Sequence, residues 1–149
     1  ELPATIGPHQ SPIGRLRPQP DGGKLDTNIF LATGGCLCGA IRYAITDEPE
    51  QVVICHCPDC RRAAGAHAVA YFFVSVDKFG FTDGTPAEYA SSPGVVRKFC
   101  SRCGTTLSWQ GEKQPGRIDV TVGSLDDPEQ FPPSRAVYRR HRLGWAPDY

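Results

Sequence analysis

The chain has 149 residues and a mass of 16.2 kDa, the usual size of a single domain. Sixteen lysines and arginines balance sixteen aspartates and glutamates, so no global field attracts nucleic acid or an anionic membrane. Hydrophobic residues make up 40% of the chain, yet no apolar run reaches the roughly 18–20 residues of a transmembrane helix. We therefore expect a core, with neither a nucleic-acid partner nor a membrane partner.

The N-terminal segment differs in composition from the rest of the chain. Residues 1–32 are rich in proline and glycine and show no steady apolar period, which predicts an extended arm. Residues 33–149 are expected to form one domain.

From residue 33 onward, the pattern indicates short β-strands. Ile41, Tyr43 and Ile45 alternate with other residues, as in a half-buried strand. Further strands are predicted over Gln51–Cys55, 68–76, Val95–Phe99, 105–109, 118–122 and 136–139. One short helix is predicted over Pro58–Ala64, with proline early and Gly65 just past its end. Many short strands joined by glycine and proline turns predict an all-β, or β-rich, domain.

Seven cysteines with no methionine are the unusual part of the composition. An odd number argues against a closed disulfide framework. The cysteines are spaced one or two residues apart in three clusters, and this spacing suits a shared metal ion better than disulfides. Clustered thiolates are soft ligands typical of intracellular zinc sites, and no secretory segment is visible. We therefore expect a cytoplasmic zinc protein.

The seven thiols divide naturally into four and three. The quartet consists of Cys36, Cys38, Cys100 and Cys103. The triplet consists of Cys55, Cys57 and Cys60. Four ligands suit a closed structural zinc site, whereas three leave a position for water or substrate. His56, Asp59 or His67 would close the triplet instead if one of them were a fourth ligand, and the spacing alone leaves both alternatives open.

Four motifs resemble those of the glutathione-dependent formaldehyde-activating enzyme family, which also contains centromere protein V. They are residues 34–43 (GGCLCGAIRY), 55–62 (CHCPDCRR), 99–105 (FCSRCGT) and 123–128 (GSLDDP). The resemblance covers residues 33–147 and implies an Mss4-like β-tent of short antiparallel strands clamped by zinc. It also matches the quartet to the family's structural-zinc positions and the triplet to its catalytic-zinc positions, which implies two zinc ions per chain.

The resemblance further implies a carbon–sulfur lyase type of enzyme, similar to S-hydroxymethylglutathione synthase. Its partners would be small molecules: glutathione or a related thiol, and formaldehyde or another small aldehyde. The alternative is a non-catalytic zinc-binding or chaperone-like module in which both metals are structural. An exchangeable fourth ligand at the triplet favours the enzyme, and a fourth protein ligand favours the module.

Basic and aromatic residues outside the cysteine clusters suggest where a substrate would bind. Arg61, Arg62 and the arginine-rich segment 139–142 are candidate partners for the carboxylates of glutathione, although a solvated basic face is the favoured interpretation. Trp145 is the aromatic residue expected in a pocket wall, whereas Tyr71, Phe73 and Trp109 are expected in the core.

Overall fold

The computed structural model describes residues 30–148. The strands of this part are β1 Ala32–Gly35, β2 Arg42–Ile45, β3 Gln51–Cys55, β4 Val69–Ser75, β5 Phe79–Asp83, β6 Ala87–Ser92, β7 Val95–Phe99, β8 Thr106–Gly111, β9 Arg117–Thr121 and β10 Arg135–Val137. The helix α1 spans Pro58–Ala64. The arm predicted for residues 1–32 lies outside the described residues except for its last three, and Ala32 already belongs to β1.

Two sheets organise the fold. A three-stranded sheet has the order β1-β2-β5, and a seven-stranded sheet has the order β10-β3-β4-β9-β8-β7-β6. Neighbouring strands are antiparallel, except that the short edge strand β10 runs parallel to β3. The prediction of a β-rich domain of short, mostly antiparallel strands is confirmed. No helix within residues 30–148 is long and apolar enough to cross a membrane.

The central strand β4 is buried on both of its faces. Phe72 and Val74 belong to the main hydrophobic cluster, which also contains Tyr43 of β2 and Phe81 of β5. The alternate side chains Val69, Tyr71 and Phe73 belong to a second, smaller cluster. Successive side chains of a strand point to opposite faces, so β4 separates two packed regions.

The paired strand β9 follows the same division and is buried on both of its faces. Ile118 and Val120 enter the main cluster, as the alternation requires. Asp119 and Thr121, on the opposite face of the strand, are buried as well. The reason is that the face carrying Asp119 lines a cavity rather than open solvent.

The helix α1 begins and ends at the predicted residues, for reasons visible in the local sequence. Cys57 is the N-cap, and its sulfur accepts a hydrogen bond from the Cys60 backbone N–H at 3.3 Å. Pro58 occupies the first turn, where its missing N–H costs nothing. Gly65 ends the helix in the left-handed conformation, with φ of 63°. The helix start thereby holds two cysteines of the triplet close together.

Candidate active site

The quartet joins two turns that are distant in the sequence. All four sulfurs lie within 4.8 Å of one another. The Cys36 and Cys38 sulfurs are 3.6 Å apart, and the Cys38 and Cys100 sulfurs are 3.8 Å apart. One pair follows β1 and the other follows β7, so the grouping fastens the three-stranded sheet to the seven-stranded sheet.

Each turn of the quartet is shaped to present its sulfurs. Gly39 and Gly104 have φ of 75° and 77°, a conformation that side-chain-bearing residues rarely adopt. The Ile41 backbone N–H donates a hydrogen bond to the Cys36 sulfur at 3.3 Å. A hydrogen bond with Thr105 lowers the pKa of the Cys103 thiol to about 5, which favours the ionised form that binds metals.

The triplet lies where β3 ends and α1 begins. The sulfurs of Cys55, Cys57 and Cys60 also lie within 4.8 Å of one another. Cys55 and Cys60 are buried, whereas Cys57 is partly exposed. No histidine, aspartate or glutamate of residues 30–148 joins this group of three.

The sulfur spacing of the quartet fits a tetrahedral metal ion. Four sulfurs about 2.3 Å from a central zinc lie about 3.8 Å apart at the corners of a tetrahedron. The sulfur–sulfur distances of 3.6 and 3.8 Å in the quartet match that spacing. The quartet and the triplet are each a donor set that can hold a metal ion.

Arg97 of β7 stabilises negative charge at the triplet. Its two terminal guanidinium nitrogens donate to the Cys60 sulfur at 3.7 and 3.8 Å, and its Nε donates to Ser91 Oγ at 3.2 Å. The side chain is buried. Hydrogen bonding by Cys55, with smaller contributions from Cys57 and Arg97, lowers the pKa of Cys60 to about 5. The site thus favours at least one thiolate.

A cavity of about 470 Å³ opens beside the triplet. Part of its lining is a row of side chains from directly paired residues, which crosses the seven-stranded sheet. The row is Gln51, Phe73, Asp119, Trp109 and Arg97, on β3, β4, β9, β8 and β7. Directly opposed residues of neighbouring strands point to the same face of a sheet, so these side chains share one surface.

Charged groups of the cavity have defined partners. Arg117 donates to Asp119 at 2.8 and 3.3 Å, and its guanidinium carbon lies 4.1 Å from the centre of the Phe73 ring. Burial raises the pKa of Asp119 to about 6 even though Arg117 opposes the shift. Arg135 donates to the neutral side chain of Gln51 at 2.7 Å and therefore keeps its positive charge available at the cavity.

Tyr71 contributes a buried, uncharged polar group to the cavity. Its side chain is 3% exposed and its hydroxyl lies beside Cys60 and Arg97. Burial, together with negative charge on Cys60, raises the pKa of Tyr71, so the hydroxyl keeps its proton at neutral pH.

The three candidates for a fourth ligand at the triplet are not grouped with its sulfurs. Asp59 lines the cavity but is not grouped with the three sulfurs. His56 is fully buried, and burial lowers its pKa. The ring of His67 packs against that of Trp145, with the ring centres 5.9 Å apart.

The residues that the sequence suggested for substrate binding do not line the cavity. Trp145, the predicted pocket wall, is 75% exposed and does not line this cavity. Tyr71, Phe73 and Trp109 form that wall instead. The cavity of the described chain is lined by other arginines than those proposed, namely Arg97, Arg117 and Arg135. The apolar alternation of β9 places Asp119 on the face opposite Ile118 and Val120, but the sequence does not show that this face lines a cavity.

The chain is similar in sequence to two curated proteins. An uncharacterized lyase of Schizosaccharomyces pombe is 37% identical over 75 residues, which are 50% of this chain and 53% of the relative. The matched region thus spans about half the length of that relative. A putative glutathione-dependent formaldehyde-activating enzyme of Halomonas elongata is 29% identical over 120 residues, covering 71% of this chain and 73% of the relative.

The fold is similar to that of a Rhodobacter sphaeroides protein of known crystal structure. The TM-score is 0.59 at 20% identity, and the match covers 70% of this chain and 99% of that chain. The family model for the glutathione-dependent formaldehyde-activating enzyme matches residues 31–141. Because this match spans most of the chain, the protein belongs to the glutathione-dependent formaldehyde-activating enzyme family.

Proposed function

We propose that this chain is a zinc-dependent enzyme of the carbon–sulfur lyase type, which joins glutathione or a related thiol to formaldehyde or another small aldehyde. The observation that carries the proposal is the triplet, whose three thiols open onto a cavity of about 470 Å³. The quartet, by contrast, joins two turns and supports a structural role. Family membership supports the same reaction class.

We assign a catalytic zinc to Cys55, Cys57 and Cys60, and a structural zinc to the quartet. The donor sets support these assignments because each consists of thiols alone, which favour soft metals. A zinc ion at the triplet supplies Lewis acidity and favours the ionised form of a coordinating thiol.

The residues around the triplet supply the binding and positioning. Arg97 offsets the negative charge of the thiolates and fixes the position of Cys60. Phe73 and Trp109 give the cavity apolar walls that exclude water from the reacting groups. Arg135, whose charge is not neutralised by Gln51, suits one of the two carboxylates of glutathione.

The proposal is tested by calorimetry on the fully zinc-loaded chain. Glutathione should bind, and its affinity should fall as the pH is lowered because protons compete for the sulfur. S-methylglutathione is the matched control, since it keeps both carboxylates but cannot form a thiolate. Equal binding of the two compounds, or binding of neither, contradicts the proposed role of the triplet.

Catalysis is measured separately by NMR exchange between free formaldehyde and its glutathione adduct. The zinc-loaded chain should accelerate this exchange beyond the spontaneous rate, and Cys57→Ser should not. Binding without acceleration would retain the thiol and reject formaldehyde as the second substrate.

A further inference from the structure

The Tyr71 hydroxyl is a buried polar group without a hydrogen-bond partner in the described part of the chain. Among the described residues, no donor or acceptor meets the ordinary limits of length and angle for a hydrogen bond with it. The side chain is 3% exposed and lines the cavity next to Cys60. Folded proteins rarely bury a hydroxyl without a partner, because the lost hydration is not replaced. A ligand in the cavity would supply that partner.

Two other polar groups of the cavity, Arg97 and Asp119, already have protein partners. Arg97 donates to Cys60 and to Ser91. The carboxylate of Asp119, two residues before the register partner of Tyr71 on β9, is paired with Arg117. Cys60 and Arg97 lie beside the Tyr71 hydroxyl, but within residues 30–148 neither makes a hydrogen bond of ordinary geometry with it, so the hydroxyl can donate to a small molecule at the triplet.

The proposed reaction requires such a donor. In the addition, a carbon–sulfur bond forms between the thiol sulfur and the aldehyde carbon, and the π pair of the carbonyl moves onto oxygen. The proton given up by the thiol ends on that oxygen, so the product is a hydroxymethyl thioether and no oxidant is involved. Negative charge develops on the oxygen before the proton arrives, and a fixed hydrogen-bond donor stabilises it.

We infer that Tyr71 is a catalytic residue whose hydroxyl donates a hydrogen bond to the aldehyde oxygen as the carbon–sulfur bond forms. The inference rests on the proposed function. Because the oxygen is bonded to the carbon that the sulfur attacks, a donor beside Cys60 lies on the side of the cavity where that oxygen would be. Tyr71 keeps its own proton in this step and acts only through the hydrogen bond.

The test compares two tyrosine variants of the zinc-loaded full chain. Tyr71→Phe removes a hydroxyl that has no hydrogen-bond partner among residues 30–148, so the melting temperature and metal content should be unchanged. Its kcat should fall about 10²- to 10³-fold, the usual loss for one oxyanion donor, with a much smaller change in KM for the aldehyde. Tyr43→Phe is the matched control, because the Tyr43 hydroxyl is fully buried and bonded to Ser124 Oγ at 2.8 Å. It should melt about 2–4 °C lower with wild-type kcat.

Three results would overturn the assignment of Tyr71: wild-type kcat in Tyr71→Phe, a loss of melting temperature equal to that of Tyr43→Phe, or loss of metal from the triplet. The last two would show that the hydroxyl has a structural partner. A wild-type chain that accelerates no thiol–aldehyde addition overturns the proposed function together with this assignment. An active wild type with an equally active Tyr71→Phe overturns the assignment alone.

Discussion

Replacing Arg97 should weaken metal binding at the triplet and leave the quartet unchanged. Arg97 is 7% exposed, and its two terminal nitrogens share the Cys60 sulfur at 3.7 and 3.8 Å. Arg97→Met keeps a long apolar side chain and removes both the charge and the donors. The substitution therefore removes the guanidinium group that donates to the Cys60 sulfur.

The size of the effect follows from these contacts. A hydrogen bond to a charged group contributes about 1.5–3 kcal/mol when it is buried. Loss of one such contribution corresponds to a decrease in metal affinity of about 10- to 150-fold. The two Arg97 contacts converge on one sulfur, so we count them as a single charge-assisted interaction.

Zinc affinities can be measured by competition with a chromophoric chelator, with cobalt substitution to distinguish three sulfur ligands from four. Lys98→Met is the matched control, because Lys98 is the next residue on β7 and pairs with Glu88 at 3.1 Å instead of a cysteine. Only Arg97→Met should release metal from the triplet at lower chelator concentration. Wild-type affinity in Arg97→Met, or an equal loss in Lys98→Met, would refute the assigned role of Arg97.

Four further outcomes can be measured directly. Elemental analysis of the loaded chain should give two zinc ions, and a value of one would contradict the division into quartet and triplet. Cys100→Ser should abolish cooperative unfolding in thermal melts, whereas Cys57→Ser should retain most of the fold; equal collapse of both would favour the non-catalytic module. Burial raises the pKa of Asp119 from 3.8 to about 6, so the folded state binds its proton more tightly than the unfolded chain. Thermal melts should therefore show the wild type losing stability relative to Asp119→Asn as the pH rises from 3.8 to about 6, and an opposite slope would reject this shift. Arg135→Gln should weaken glutathione binding about two- to five-fold in calorimetry without affecting cysteamine, which lacks carboxylates; equal losses for both thiols would exclude a carboxylate contact.

Elements with local signals could be predicted from the sequence alone. The bounds of β3 and of α1 agree with the prediction residue for residue. A proline in the first turn, a cysteine N-cap and a glycine after the last residue fix the helix within nine residues. The grouping of the cysteines was accessible for the same reason, since spacings of one or two residues restrict where each sulfur can point.

Elements that depend on distant partners could not be predicted. The strand β5 has only a short apolar alternation, and β6 is an exposed edge strand that is defined by pairing with β7. The row of cavity-lining residues from Gln51 to Arg97 arises from the register of five strands. No local sequence pattern encodes that register. Arg97 therefore looked like an ordinary polar residue of a hairpin, although it contacts Cys60 across 37 residues of chain.

The two cysteine groups differ in what a metal would do there, because they belong to different parts of the packing. Cys36 and Cys100 lie in the main hydrophobic cluster, and the sulfur contact between Cys38 and Cys100 closes a loop of 62 residues. The triplet lies in the smaller cluster on the cavity side and spans only six consecutive positions. Closing a long loop removes entropy from the unfolded chain, whereas a local cluster removes little. Metal at the quartet should therefore act mainly on the free energy of unfolding, and metal at the triplet mainly on what the cavity binds.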